Sequence, residues 1–183
     1  MQVGGDVLWG SMTSDGKLIS IANMLYIWNL FPENEQDAAD LRIGGVPGHQ
    51  GYDFGGRQSG DGSSTVVAGG KLYLSLSNGN KVVGFNSLPT RPDQEPDFVI
   101  GAPDINTNTL ETNFMLTNPV LATDGHSLFA GANFGNLYLY VWKNLPDESG
   151  AKPDFVYGLE DGPWDLALWK GKLVLAGKQS VWL

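Results

Sequence analysis

His49, Tyr52, Asp53, Arg57 and Asp61 fall within one glycine-rich stretch, VPGHQGYDFGGRQSGDGSS at 46–64. An imidazole close to carboxylates is the pairing that general acid–base catalysis uses. A hydrolase or lyase working through His49 with Asp53 or Asp61 is therefore one expectation. Recognition without turnover is the other, since His49, Tyr52, Asp53 and Arg57 offer donors, acceptors and a ring to a ligand. The spacing builds no metal site: no H-x-H or HExxH occurs, cysteine is absent, and the second histidine is His126, in a turn. No G-x-S-x-G nucleophile elbow occurs either. Gly55-Gly56 and Gly60-Asp61-Gly62 resemble a phosphate cradle only in glycine content, because no helix start follows. No cofactor is implied.

Trp9 and Trp164 add a second set of candidates. LWGSMTSDGKL and PWDLALWKGKL align from these two residues, so both tryptophans begin equivalent segments. The ordinary reading is packing, a bulky ring capping the core. The sharper reading is an aromatic platform for a sugar or another planar ligand.

These candidates need a scaffold, and the scaffold is repetitive. PDFVIGAPD at 96–104 returns as PDFVYGLED 57 residues later. Trp28, Phe85 and Trp142 keep that spacing of 57, as do Pro32, Pro89 and Pro146; Asp40, Asp97 and Asp154; and Gly44, Gly101 and Gly158. Upstream in each unit lies a second signature: SDGKLISIAN, AGGKLYLSLSN, TDGHSLFAGAN and WKGKLVLAGK. Asp-Gly and Gly-Gly between apolar runs are hairpin turns, because these residues tolerate positive φ. The runs alternate with a period of two, which marks half-buried strands. Each unit therefore reads as four strands: A before the turn, B after it, C of the LYIWN type and D of the DFVIG type. The expected fold is all-β, a β-propeller of about four four-stranded blades near 6–44, 64–101, 118–158 and 163–183 with 1–5.

Columns that recur in every unit serve the scaffold. An aromatic at Trp28, Phe85 and Trp142 is core between blades. Asp40, Asp97 and Asp154 are expected to accept a backbone N–H in a turn ahead of strand D.

The order DGKL, SN, VVGFNSLP, PDFVIGAPD resembles the NHL-type β-propeller repeat in its bacterial variety, with a W/F-N-x-x-P strand and a P-D-x-x-I-G-x-P-D strand. The resemblance covers nearly the whole chain. It implies a binding platform more often than an enzyme, and an extracytoplasmic bacterial setting. The chain departs from the family pattern at Ser77-Asn78-Gly79-Asn80-Lys81-Val82, which reduces the usual Asp-x-x-Asn-x-Arg, and in having fewer units than six blades.

Bulk properties narrow the partners. With 183 residues and 42% hydrophobic residues the chain can bury one ordinary core. The net charge of −9 repels phosphate backbones, so no nucleic-acid partner is expected. No apolar run is long enough to span a bilayer as a helix, and Met1-Gln2-Val3-Gly4-Gly5 does not open like a signal peptide. Ten of the 20 acidic residues lie after Pro32, Pro89 and Pro146, in the connections from strand C to strand D. They read as solvated loops.

Met1–Gly5 fits strand D, and Ser180–Leu183 fits the start of strand C. Two expectations follow. Either the first strand completes the last blade and closes a four-bladed ring, or the chain is part of a larger propeller whose open edges invite self-association. On either, the connections at 46–64 and 102–118 are the long D–A links. That face is the expected site for a protein or carbohydrate ligand.

Overall fold

The computed structural model describes residues 2–3, 6–7, 10–44, 52–54, 63–107, 116–135, 137–178 and 181–182. It contains strands and turns, with no helix among the described residues. A short pair, β1 (Gln2–Val3) and β2 (Asp6–Val7), is followed by four antiparallel meanders. The first blade is β3 (Gly10–Ser14), β4 (Lys17–Ile21), β5 (Leu25–Trp28) and β6 (Leu41–Ile43). The second is β7 (Thr65–Ala68), β8 (Lys71–Leu76), β9 (Lys81–Phe85) and β10 (Phe98–Ile100). The third is β11 (Val120–Thr123), β12 (Leu128–Ala132), β13 (Tyr138–Trp142) and β14 (Phe155–Gly158). The fourth has three strands, β15 (Pro163–Trp169), β16 (Lys172–Gly177) and β17 (Val181–Trp182).

The A–B hairpins follow from their turn residues. Ser14 pairs with Lys17, Ala68 with Lys71 and Trp169 with Lys172, leaving two-residue loops. Both loop residues take positive φ in each: Asp15 and Gly16, Gly69 and Gly70, Lys170 and Gly171. This is the type I′ geometry whose twist matches that of the flanking strands. The third blade spends four residues instead, and the Asp124 carboxylate accepts the N–H groups of His126 and Ser127 at 2.9 and 2.6 Å.

Successive inner strands touch, β3 with β7, β7 with β11 and β11 with β15, which is the blade order of a β-propeller. Apolar layers fill the gaps. Ile19, Ile21 and Ile43 meet Leu72, Leu74 and Val99 between the first two blades. Tyr73, Val82 and Phe98 meet Leu121, Leu128 and Trp142 between the second and third. Val120 and Ala122 meet Leu166 and Leu175 between the third and fourth. The four blades form an arc, because among the described residues no comparable contact joins β15 to β3.

Among the described residues, closure by the N-terminal strand is not shown. Gln2 pairs with Val7 and Val3 with Asp6, whereas β17 has β16 as its neighbour in the fourth sheet. The local hairpin closes a far shorter loop than a pairing of Gln2–Val3 with β17 would, at a smaller cost in chain entropy.

The expected columns are structural. The Asp40, Asp97 and Asp154 carboxylates accept the backbone N–H groups of Asn29, Asn86 and Lys143 at 2.7, 2.7 and 2.8 Å. Each carboxylate thus ties the end of strand C to the start of strand D. The indole N–H of Trp28 reaches the Asp37 carbonyl at 2.9 Å, and that of Trp142 the Ala151 carbonyl at 3.1 Å. Phe85 fills the same place without a donor. Gly44 and Gly101 adopt φ of 73° and 85°, and a Cβ at either would strike Tyr52 or Leu116.

Candidate functional site

The D–A connection into β15 ends in a large ring turned to solvent, and Phe134, in the B–C connection of the third blade, is a second exposed ring at that end of the blades. Trp164 is 58% exposed and sits where the β15–β16 register shifts between Pro163 and Asp165. A bulge of this kind removes a residue from the ladder and re-aims its side chain. Pro163 is buried against Gly131, where a Cβ would collide with its ring, so the base of the bulge is anchored to the third blade. Asp161 and Asp165 stiffen the backbone on either side, accepting the N–H groups of Gly162 and Leu166 at 2.9 Å each. Next to this link a cavity of about 250 Å³ is lined by Gly158, Leu159, Glu160, Asp161 and Leu175. The link thus offers an open indole and two acidic side chains to anything approaching that side of the arc.

The other sequence candidates separate. Tyr52 was expected at a ligand surface but is buried, 3% exposed, with its ring edge-on to Phe54 at 4.9 Å between centroids. Its hydroxyl donates to the Ile105 carbonyl at 2.8 Å, joining the 52–54 segment to the link that follows β10. The phenol is therefore a structural clasp, and burial pushes its pKa up. Asp53 is exposed beside it. Trp9, His49, Arg57 and Asp61 lie outside the described residues, so the His49–Asp pairing has no described geometry. His126 stands in its exposed A–B turn. Among the described residues no group of three or more His, Cys, Asp or Glu side chains could hold a metal ion.

Sequence reasoning missed two features of this face. Lys81 is fully buried, and its ammonium donates to the carbonyls of Ile105 and Thr107 at 2.5 and 2.8 Å, 5.7 Å from the centre of the Tyr52 ring. Burial pulls its pKa down to about 8, partly countered by the Asp104 carboxylate. Only its place in the reduced Asn-Gly-Asn-Lys pattern singles it out in the sequence. The second feature is a hydroxyl relay. Ser63 meets Ser77 at 3.1 Å and Ser64 meets Ser75 at 2.9 Å, while Ser64 Oγ accepts the Leu121 N–H at 3.0 Å from the next blade. These groups rigidify the mouth between the second and third blades and use their hydrogen-bonding capacity internally.

No protein-family model matches the chain, and no curated protein matches it. Solved structures do. A humanized mutant of the Chaetomium thermophilum Polycomb Repressive Complex 2 bound to an inhibitor contains a chain that aligns over 95% of this one at 9% identity, with a TM-score of 0.50. The computationally designed Ika8 protein aligns over 96% at 12% identity and TM-score 0.48, and BamB from Moraxella catarrhalis over 99% at 14% and 0.42. The chain spans 35%, 57% and 60% of the lengths of those three chains. The likeness to the first of these, at 9% identity, speaks to fold alone.

Proposed function

We propose that the chain is a non-catalytic binding scaffold, an NHL-like propeller unit that engages a protein or carbohydrate ligand on its D–A face. The observation that carries this reading is Trp164, an indole held open to solvent by a bulge whose neighbours are anchored. An exposed tryptophan on a rigid base gives a flat apolar contact at small conformational cost, which suits a pyranose face or an apolar peptide side chain. The repeated Asp residues fit the same view, because each accepts a backbone N–H that ties strand C to strand D, a structural task repeated in three blades.

The test is binding to an array of immobilised oligosaccharides and extended peptides, followed by solution titration of each hit with the unmodified chain and Trp164→Ala. The reading predicts at least a tenfold loss of affinity in the variant with its melting temperature unchanged. Equal affinities for every hit would remove Trp164, and with it the reading. Turnover of any bound probe would replace the scaffold with an enzyme.

A further inference from the structure

The two ends of the arc are unequal, and comparison with the internal blade boundaries shows what each lacks. Val66, Tyr73 and Val82 form the face that the second blade turns to the third, and all are buried. Ala167, Val174 and Val181 occupy the same register positions in the fourth sheet. There Ala167 is exposed, Val174 half-buried and Val181 69% exposed, with Trp169 beside them 55% exposed. The fourth blade thus presents a face that elsewhere receives a following blade.

The first blade presents the opposite part. Phe31, Leu88 and Leu145 are spaced by 57 residues in the three C–D loops. Leu88 packs onto the layer between the first two blades, and Leu145 onto the layer between the second and third. Phe31 is 54% exposed and Leu30 79% exposed. The inward residues Leu18, Tyr26 and Trp28 are already buried, so it is the C–D loop of this blade that lacks a receiver.

The boundary between the second and third blades shows how such a loop is received. Lys71 pairs with Asp147 at 3.4 Å, and the Tyr73 hydroxyl donates to the Pro146 carbonyl at 2.8 Å. In register, Lys172 replaces Lys71 on the open face, while Pro32 and Glu33 replace Pro146 and Asp147 on the unreceived loop. Lys172 and Glu33 are both exposed. Lys170, over the Trp169 ring at 4.7 Å, and exposed Glu35 extend the complementarity, basic on the face and acidic on the loop.

We propose that a second copy of this chain docks head to tail, with Phe31 and Glu33 of one copy seated on Trp169, Lys172 and Val174 of the next. The contact is heterologous, so each copy keeps one free loop and one free face, and the assembly either closes into a ring or extends.

The test is light scattering of the full chain across concentration and salt. The proposal predicts masses that rise with concentration to multiples of 19.7 kDa and fall with added salt. Phe31→Asp and the double variant Trp169→Asp/Lys172→Glu each weaken association at least tenfold while keeping the unmodified chain's circular dichroism spectrum. An equimolar mixture of the two forms pairs and nothing larger, because it holds one working loop–face contact. Should Phe31→Asp not fold, Glu33→Lys replaces it, and the charge swap Glu33→Lys/Lys172→Glu restores association. An unmodified chain that stays monomeric throughout overturns the proposal and leaves the face to a different polypeptide. Association that survives both loop and face variants, or a mixture that stays monomeric, overturns it as well.

Discussion

The Tyr73 hydroxyl donates to the carbonyl of Pro146 at 2.8 Å, across the boundary between the second and third blades. Around it the third blade's C–D loop is stitched to the outer strand of the second: Val99 N–H donates to Ser149 Oγ at 3.1 Å and Gly150 N–H to the Val99 carbonyl at 3.0 Å. The proline of the repeat is therefore the point where one blade grips its predecessor. Tyr73→Phe removes one donor and leaves a buried carbonyl short of a partner. Its expected cost is about 1–2 kcal/mol in urea unfolding with an unchanged denaturant slope. A loss below a few tenths would mean that water replaces the hydroxyl.

Gly84 is required by Phe98. A Cβ at Gly84 would lie inside the Phe98 ring, which crosses strand C at that point and is 1% exposed. Gly84→Ala should destabilise by about 1–3 kcal/mol or more through overpacking. Pairing it with Phe98→Leu should return part of that loss, and a double-mutant cycle measures how much. Strict additivity of the two changes would contradict the direct contact.

The Asp97 carboxylate makes a single structural bond, to the Asn86 N–H. Asp97→Ala is expected to cost about 1 kcal/mol, and Asp97→Asn less, because the amide oxygen can still accept. Asp40→Ala and Asp154→Ala should behave alike, since each copy makes the same bond at the same place. Loss of ligand binding without loss of stability in any one of them would mark that copy as functional.

Lys81 sets a pH dependence. Its folded pKa of about 8 lies below the ordinary 10.5, so between these values the unfolded chain binds more protons than the folded one. Stability must therefore rise as pH increases from about 8, and the cost of burying the charge is fully present below that. Tyr52 and Tyr73 act with the opposite sign as pH nears 10 and beyond, where their unfolded phenols ionise while the buried ones stay protonated, so the slope due to Lys81 is read below about pH 9.5. Melting temperatures followed between about pH 7 and 9.5 should rise in the unmodified chain and lose that slope in Lys81→Met. Equal slopes would show that Lys81 is hydrated.

The blades were legible because their physics is local and repeated. Two-residue turns with Gly, alternating strands and a column of aromatics recur at fixed spacing, and each has one structural solution. The Asp column was legible for the same reason, as a residue kept in register with a backbone N–H. The sequence offers Tyr52 as a ligand-binding candidate but not its burial, which depends on Ile105, 53 residues away, and which no local pattern announces. Lys81 was passed over because a lysine in a turn-like stretch reads as solvated until two carbonyls are found to hold it. Trp164 was singled out by alignment with Trp9, but its exposure comes from a register shift that strand periodicity does not encode. The N-terminal strand has D-type residues, yet it pairs with its immediate neighbour.

The central claim is that the D–A face around Trp164 is where this scaffold meets its ligand. Two-dimensional NMR of the isotopically labelled chain tests it most directly, with oligosaccharides and extended peptides titrated in and the indole N–H signals resolved. The account predicts that the Trp164 indole and the amides of Glu160 to Asp165 shift first and saturably, while Asn86 to Asp97 in a C–D loop stay still. Saturable shifts confined to the C–D loops, with the Trp164 signal unmoved, would contradict it.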